Sequence, residues 1–274
     1  MIVDYHMHLR DPSEDESSRR YTVTRAEQYV EQAGKAAVDE IGFSDHIYYF
    51  RQTKGFWEIP WMLERCTDDL DDYVDAVEEA KSRGLPVKLG LEVDYFPGIE
   101  PELLALLDPY PWDYLIGSVH FVDGFPVDQE PGLVHKLPPG EAWRRYFVWV
   151  RNAARSGLFD VLAHPDLVKI FGVRIPPDEL HYLHLETADA IEAADVCVEV
   201  SAAGLHKPVG EIYPDRLLLA ACRERGVPIT LASDAHEPED VGRDIDRAAA
   251  LAREVGYWTV TVFDQRKRRQ EPLG

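Results

Sequence analysis

The sequence is poor in cysteine and basic residues, and it has no long apolar segment. Its 274 residues include three cysteines, Cys66, Cys197 and Cys222, which are widely spaced and form no Cys-x-x-Cys pair. Scattered, odd-numbered cysteines argue against a disulfide framework and suit a reducing cytoplasm. No apolar run approaches the ~20 residues that span a bilayer. The chain starts with a strand-like run that ends at Asp4, not with a basic, apolar signal sequence. We therefore expect a cytoplasmic protein that does not bind membranes.

Acidic residues strongly outnumber basic residues. The chain has 50 Asp and Glu against 29 Lys and Arg, which gives a formal net charge of −21. This surplus argues against non-specific binding to nucleic acid or to anionic membranes. It does not exclude an anionic substrate, because bound divalent cations reverse the local field. The sequence also lacks an internal repeat, a glycine-rich phosphate loop and a convincing serine or cysteine nucleophile motif.

Strand-like and helix-like segments alternate along the chain in about seven units, with no Ser/Gly-rich linker between halves. This alternation favours a parallel sheet. An open doubly wound sheet usually binds its ligand at one switch point. A closed barrel instead brings all the strand ends together. We predict one barrel domain over residues 1–264, a lid or rim loop at residues 48–65, and a polar, loosely held tail at residues 265–274.

Six of the ten histidines lie just after strand-like runs. Parallel α/β barrels place their chemistry at these C-terminal strand ends. Imidazoles and carboxylates that arrive there from many strands can enclose several metal ions. The motifs are Asp4-Tyr5-His6-Met7-His8, Ser44-Asp45-His46, Gly90-Leu91-Glu92-Val93-Asp94, Gly117-Ser118-Val119-His120, Ala163-His164-Pro165 and Ser233-Asp234-Ala235-His236.

Each motif, taken alone, can also be explained by an ordinary structural role. His6 and His8 point to the same face of a strand, but an isolated pair of this kind is more often a core or surface feature. Single histidines such as His120 and His164 are usually hydrogen-bonded in a core. Glu92 follows an apolar run and needs a positive partner, either Lys or Arg or a pair of metal ions. The repetition at matching positions favours shared metals, with Glu92 between two of them.

Taken together, the motifs resemble the PHP family, the metal-dependent phosphoesterases named for polymerase and histidinol phosphatase. The marks of the family are HMH, SDH, GLEVD, GSVHF, AHPD and SDAH, and they cover nearly the whole chain. Residues 90–95, 117–128 and 203–214 are similar to the histidinol-phosphatase branch in particular. The resemblance implies an α/β fold, a distorted (β/α)7 barrel with its active site at the C-terminal strand ends.

The resemblance also implies two or three divalent cations, and mixed imidazole and carboxylate ligands suit Zn, Fe or Mn. Where the family usually has a further histidine, this chain has Glu14, with Asp11 nearby, so the third site is expected to be carboxylate-bound, weaker or absent. By position, the implied ligands are His6, His8, Glu92 and Asp234 for one metal, Glu92, His120 and His164 for a second, and His46 and His236 for a third.

On the substrate side, the branch usually has an arginine after AGL, whereas this chain has His206 and Lys207. Lys169 follows AHPD, where a basic residue is typical. We interpret these three as candidates for a phosphate clamp, and ordinary solvated side chains are the equal alternative for the lysines. An ammonium cannot form the bidentate hydrogen bonds to phosphate that a guanidinium forms. We therefore expect either weaker phosphate binding or a different substrate.

The implied reaction is hydrolysis of L-histidinol phosphate to L-histidinol and phosphate, in histidine biosynthesis, by a metal-bound hydroxide. Glu92, Asp234 and His236 are the implied catalytic residues. His236 or a metal-bound water would protonate the leaving alcohol, and Asp94 would orient the substrate amine. The partner is a small phosphorylated molecule, and the chain is a monomer or a homodimer.

Three alternatives remain at this point. The chain could be another PHP phosphoesterase, acting on a nucleotide or a different small phosphomonoester. It could be a non-catalytic metal-binding domain. It could be a metal-dependent amidohydrolase, although that class typically bridges its metals with a lysine where this chain has Glu92. We further expect His181 and His184 to lie at the surface, and Trp61 to serve packing or a lid.

Overall fold

Parallel strands form a closed barrel. The computed structural model describes residues 1–12 and 20–274. The strands, in chain order, are β1 (Val3–Asp4), β2 (Glu40–Phe43), β3 (Val87–Leu89), β4 (Glu92–Asp94), β5 (Ile116–Ser118), β6 (Phe121–Val122), β7 (Phe125–Pro126), β8 (Val161–Leu162), β9 (Cys197–Ser201), β10 (Ile229–Ala232), β11 (Thr259–Asp264) and β12 (Lys267–Pro272).

Two parallel sheets join to make the barrel. One has the order β1-β2-β3 and the other β4-β5-β8-β9-β10. They meet where β3 runs into β4, and Glu92 N–H donates to the Asp45 carbonyl at 3.0 Å. On the other side, Tyr5 N–H donates to the Leu231 carbonyl at 3.1 Å, which joins β1 to β10. With β3 and β4 counted as one interrupted strand, the prediction of a distorted (β/α)7 barrel is confirmed.

Helices surround the strands and cover their outer faces. Most are amphipathic, and their apolar stripe faces the barrel. No helix within residues 1–12 and 20–274 combines the length and apolarity needed to cross a bilayer. The α-helices of this part of the chain are α1 (Val23–Lys35), α2 (Pro60–Leu63), α3 (Leu70–Ser82), α4 (Glu100–Leu107), α5 (Leu133–Lys136), α6 (Pro139–Arg155), α7 (Pro177–Ala193), α8 (Arg216–Glu224) and α9 (Ile245–Glu254).

Tyr114 fills the space where the two sheets meet. Its hydroxyl donates to the Tyr5 carbonyl at 2.7 Å, and the two rings stack with centroids 5.1 Å apart. A Cβ at Gly42 or at Gly90 would overlap the Tyr114 ring or hydroxyl. Glycine is therefore required at both positions, and the interruption between β3 and β4 begins at Gly90.

The C-terminal hairpin closes the end of the barrel where the strands start. Phe263 of β11 packs on Tyr5 and Tyr114, with centroids 6.0 and 5.9 Å away. Asp113, just before β5, accepts a hydrogen bond from Gln265 N–H at 3.2 Å. β12 pairs with β11 along its whole length. The expectation of a loosely held tail is thus wrong for residues 267–272, whereas the domain limit at residue 264 stays a prediction.

The segment predicted as a rim loop lies beside the C-terminal end of β2. It contains two 3-10 turns, Ile47–Tyr49 and Arg51–Thr53, and the short helix α2. Tyr48 and Trp61 pack edge to face, with centroids 5.1 Å apart. Tyr48 also stacks on His46 and Trp61 packs on Phe121, with centroids 4.7 and 6.0 Å apart, and these contacts hold the segment against the mouth of the barrel.

We expect Phe263→Ala to lower the free energy of unfolding by ~3–5 kcal/mol, the usual cost of emptying a buried phenylalanine site. Phe263 is 2% exposed, whereas Trp258, the residue before β11, is 69% exposed and is the matched control. Trp258→Ala should change stability by about 0.5 kcal/mol or less. Urea unfolding followed by circular dichroism measures both, and equal losses for the two variants would contradict the packing role of the hairpin.

Candidate metal centre

Eight side chains that the sequence analysis assigned as metal ligands converge at the C-terminal mouth of the barrel. Their imidazole rings form a contiguous group: for example, the His8 and His46 centroids are 4.3 Å apart and those of His120 and His164 are 5.2 Å apart. The group is built from the ends of six strands. Its members are His6 and His8 after β1, His46 after β2, Glu92 on β4, His120 after β5, His164 after β8, and Asp234 and His236 after β10.

Glu92 lies in the middle of this group and is completely buried. Its Oε1 atom is 3.3 Å from Nε2 of His120 and 3.3 Å from Nε2 of His164. Its Oε2 atom is 3.3 Å from Nε2 of His6 and 2.5 Å from Nδ1 of His46. The two oxygens therefore face two different sets of imidazoles.

Asp234 completes the side of the group next to β1. Its Oδ1 atom is 3.2 Å from Nε2 of His8 and 3.7 Å from Nε2 of His6. Within residues 1–12 and 20–274 there are four sets of three ligand atoms, and the atoms of each set lie within 4.8 Å of one another. They are His6, His8 and Asp234; His6, Glu92 and His164; His46, Glu92 and His120; and His8, His46 and His236. The last set joins His8 to the pair predicted for a third metal.

Carboxylates behind the cluster orient two of the rings. Glu199 accepts a hydrogen bond from Nδ1 of His6 at 2.7 Å, and Asp94 accepts one from Nδ1 of His120 at 2.9 Å. A histidine that donates from Nδ1 presents the Nε2 lone pair on its other side, and such carboxylate–imidazole pairs typically support metal ligands. In both residues Nε2 is the atom that faces Glu92.

The donor atoms at the centre fit divalent cations. Among the residues that the structure describes, neither Nε2 of His6 nor Oε2 of Glu92 has a hydrogen-bond partner, although both are buried. These two atoms lie 3.3 Å apart, and a buried carboxylate oxygen without a hydrogen bond is unfavourable unless a positive charge lies beside it. Mixed nitrogen and oxygen donors suit Zn, Fe or Mn.

The cluster also perturbs the acidity of its members. Burial alone would raise the pKa of Glu92, but His46, His6 and His120 hold it well below its usual range. Burial would lower the pKa of His120, but Glu92 and Asp94 raise it to about 10. The centre therefore stabilises an ionised Glu92 surrounded by positive charge.

The predicted phosphate-clamp residues make other contacts. Lys169 is buried, and its ammonium lies 2.8 Å from Asp166 and donates to the Ile212 carbonyl at 2.8 Å. His206 pairs with Asp244 at 2.7 Å. Lys207 is exposed. None of these contacts involves the imidazole cluster, so the clamp stays a prediction.

Two further assignments concern the segment after β1. Asp11 lies beside Arg20, whose guanidinium donates to the Asp11 carbonyl at 3.3 Å. Glu14 falls outside the described residues. A role for either residue as a ligand of the third metal stays a prediction.

The expectation that His184 lies at the surface is wrong. Its ring is 1% exposed and packs against Phe147, with centroids 5.7 Å apart. Its Nε2 atom is 3.6 Å from Asp215. α7 is covered by α6 and α8 at the position of His184, whereas His181 is exposed, as expected.

Sequence reasoning missed several carboxylates that support the site. Glu199 sits in the fully buried strand β9, and the argument applied to Glu92, a charge inside an apolar run, would have found it. Asp45 accepts hydrogen bonds from the backbone N–H groups of Leu9 and Arg10 at 2.7 and 3.0 Å. Asp45 belongs to the SDH motif, in which the sequence predicts a role for His46 alone.

A cavity of about 170 Å³ opens beside the cluster. Three cluster histidines form part of its wall, and aromatic side chains form much of the rest. Trp61 thus serves both packing and the wall of the mouth. The lining residues are His46, Tyr48, Tyr49, Trp61, His120, Phe121, Asp128, Gln129 and His236.

A parallel barrel with imidazoles and carboxylates gathered at its C-terminal mouth defines the class of metal-dependent barrel hydrolases. The chain belongs to the PHP domain family, whose family model matches residues 4–203. The resemblance inferred from the motifs is confirmed.

Several similar proteins are named as histidinol phosphatases. A probable histidinol-phosphatase of Deinococcus radiodurans is 36% identical over 251 residues, which cover 89% of this chain and 92% of the relative. A crystal structure of the Lactococcus lactis histidinol phosphate phosphatase with zinc, L-histidinol and phosphate has a TM-score of 0.79 at 21% identity and covers 98% of both chains. A structure of a putative histidinol phosphatase from Listeria monocytogenes has a TM-score of 0.75 at 20% identity and covers 89% of this chain and 99% of that one. These two structures share the fold of this chain.

We expect zinc binding to the metal-free protein at pH 8 to release protons. Burial would lower the pKa of His120, but Glu92 and Asp94 raise it to about 10, so this ring gives up a proton when it binds the cation. Burial would also lower the pKa of His6, but Glu199 and Glu92 raise it well above its usual range. Calorimetry in buffers of different ionisation enthalpy measures the release. His120→Gln should release about one proton fewer per protein. Zinc binding without proton release at pH 8 would contradict this picture of the cluster.

Proposed function

We propose that the chain is a metal-dependent phosphomonoesterase that hydrolyses L-histidinol phosphate to L-histidinol and phosphate, a reaction of histidine biosynthesis. The observation that carries this proposal is the position of Glu92, between two imidazole sets beside a small aromatic-lined cavity. The relative of 36% identity, named a probable histidinol-phosphatase, supports the substrate. The solved Lactococcus lactis protein with L-histidinol and phosphate supports it as well.

Two or three divalent cations would be held by the cluster. His6, His8 and Asp234 would share one cation with Oε2 of Glu92. His120 and His164 would share a second cation with Oε1. When bound, the cations supply positive charge for the phosphate and a water of lowered pKa, ~7.

A third cation would draw on His46 and His236, and the proximity of His8 to both supports that set. The side chain of His236 is 54% exposed and lines the cavity. Transfer of a proton to the leaving alcohol is the alternative to that role, because a ring nitrogen that binds a cation has no proton to give. Asp234 positions the ring, because His236 Nδ1 donates to the Asp234 carbonyl at 3.0 Å.

The cavity suits the organic part of the substrate. Tyr48, Trp61 and Phe121 give it aromatic walls on which an imidazole ring can stack. Asp128 also lines it, and its buried Oδ1 atom has no hydrogen-bond partner within the described chain. A buried carboxylate oxygen without a donor is unfavourable, and the ammonium group of histidinol phosphate would supply the donor.

Asp128 therefore joins Asp94 as a candidate for the amine partner, and its place in the cavity wall favours Asp128. The sequence analysis gave that role to Asp94, but Asp94 accepts the hydrogen bond from His120 Nδ1. It supports a ligand rather than lining the cavity. Lys169, His206 and Lys207 stay candidates for phosphate binding.

The three cysteines, Cys66, Cys197 and Cys222, are all buried and unpaired within the described chain. Burial raises the pKa of the Cys197 and Cys222 thiols to about 12, so both are neutral at pH 7. Free thiols of this kind support a reducing compartment, and we propose the cytoplasm. The choice between monomer and homodimer stays a prediction.

A substrate panel tests the function. Metal-reconstituted protein should hydrolyse L-histidinol phosphate with a kcat/KM roughly 100-fold or more above that for p-nitrophenyl phosphate or a nucleoside 5′-monophosphate, because only the first fills the cavity. Glu92→Ala should lose all three activities together with bound metal. Glu102→Gln changes an exposed glutamate, and this control variant should keep the three activities and the bound metal.

The outcomes separate the alternatives. Turnover of p-nitrophenyl phosphate without turnover of L-histidinol phosphate would refute the substrate and leave the phosphoesterase chemistry intact. A preference for the nucleotide would favour another PHP phosphoesterase. Full activity of Glu92→Ala would refute the proposed centre.

We expect Asp128→Asn to raise the KM for L-histidinol phosphate about 10- to 100-fold, because a charge-assisted hydrogen bond to the substrate ammonium is lost. Hydrolysis of p-nitrophenyl phosphate, which has no amine, should be unchanged. The matched control is Asp123→Asn, in the exposed turn between β6 and β7. A parallel loss with both substrates would show that Asp128 acts on the centre and not on the amine.

A further inference from the structure

Glu199 lies behind the ligand cluster, on β9, a strand to which the sequence analysis assigned no ligand. Its side chain is completely buried. One carboxylate oxygen, Oε2, accepts from Nδ1 of His6 at 2.7 Å. The other, Oε1, accepts from the backbone N–H of His164 at 3.2 Å. A single side chain on β9 thus joins ligands that arrive from β1 and from β8.

The hydrogen bond between Glu199 and His164 lies where the backbone has an unusual conformation. His164 has a φ of +25°, in a region that residues other than glycine rarely adopt. Glu199 holds its N–H, and the Tyr146 hydroxyl donates to its carbonyl at 3.2 Å. Such conformations persist where the surrounding structure fixes them, and they cluster at functional sites.

The two tethered ligands face opposite oxygens of the same carboxylate. Nε2 of His6 is 3.3 Å from Oε2 of Glu92, and Nε2 of His164 is 3.3 Å from Oε1. The geometry of Glu199 therefore determines where both nitrogens stand relative to Glu92. Among the described residues of the cluster, Asp94 by contrast makes a hydrogen bond to a single ring, that of His120.

From this arrangement we infer that Glu199 is a positioning residue that sets the spacing of two cation sites at once, through the ring of His6 and the main chain of His164. This inference rests on the proposed metal-dependent function. Glu199, a buried carboxylate outside the ligand set, thereby couples the site at Oε2 of Glu92 to the site at Oε1. Loss of Glu199 should weaken both sites, whereas loss of Asp94 should weaken the His120 site alone.

The test is metal binding by the full chain. Glu199→Gln keeps the size of the side chain, but its amide offers one oxygen to two N–H donors and turns an NH2 group towards the other donor. We expect zinc affinity, measured by competition with a chelator, to fall about 10- to 100-fold, as is typical when the group behind a ligand is lost. The visible spectrum of the cobalt-substituted protein should change, because the angles at the metal change.

Thr230→Val is the matched control. Thr230 lies directly opposite Glu199 in the pairing of β10 with β9, and its buried hydroxyl has no hydrogen-bond partner among the residues described. The substitution keeps the shape of the side chain and should leave zinc affinity and the cobalt spectrum unchanged. Glu199→Asp is a second variant. It keeps the negative charge but shortens the side chain by one methylene, so it should also lower zinc affinity.

Each outcome has one meaning. If the unaltered protein binds none of zinc, iron(II) and manganese(II) tightly, the proposed function fails, independently of Glu199. If it binds zinc and a folded Glu199→Gln or Glu199→Asp variant binds equally well, the positioning role is overturned. Circular dichroism of the metal-free proteins reports folding, and loss of the fold in both variants would overturn the proposal by making Glu199 a purely structural residue.

Discussion

The buried carboxylate of Glu92 is the constraint on which the mouth of the barrel depends. An ionised group without contact to water is unfavourable unless positive or hydrogen-bonding groups surround it. Here imidazoles from several strands provide that environment, and Ser118 adds a hydroxyl that donates to Oε1 at 2.5 Å. Because these strands are far apart in sequence, only the closed barrel can bring them to one point. Fold and centre are therefore parts of a single arrangement.

Around this core lies an outer set of carboxylates that holds the loops after the strands. Asp4, for example, accepts from the backbone N–H groups of Ser233 and Gly242 at 2.8 and 3.0 Å. Burial raises its pKa to about 6 even though these donors lower it. Burial likewise raises the pKa of Asp45 to about 7. Part of the acidic surplus of the sequence is thus internal and fixes the geometry of the mouth.

Sequence reasoning worked where local pattern and topology agree. Histidines after apolar runs, such as His46 and His164, were placed correctly because parallel strands must all end at the same side. It failed where a partner distant in sequence decides the outcome. His184 is internal because α8 covers it, and residues 267–272 form a strand because β11 lies beside them. Backbone pairing of this kind leaves little trace in a polar sequence, since its hydrogen bonds do not depend on side-chain type.

The hairpin of β11 and β12 lies at the end of the barrel where the strands begin, away from the imidazoles. Packing there secures the chain, whereas chemistry is confined to the opposite rim. In many enzymes gains in robustness diminish catalysis, because strain at the reacting groups is relieved. In this barrel the residues that stabilise the fold and the residues proposed for catalysis lie at opposite ends. Selection for heat tolerance can therefore act on the hairpin while selection for turnover acts on the mouth.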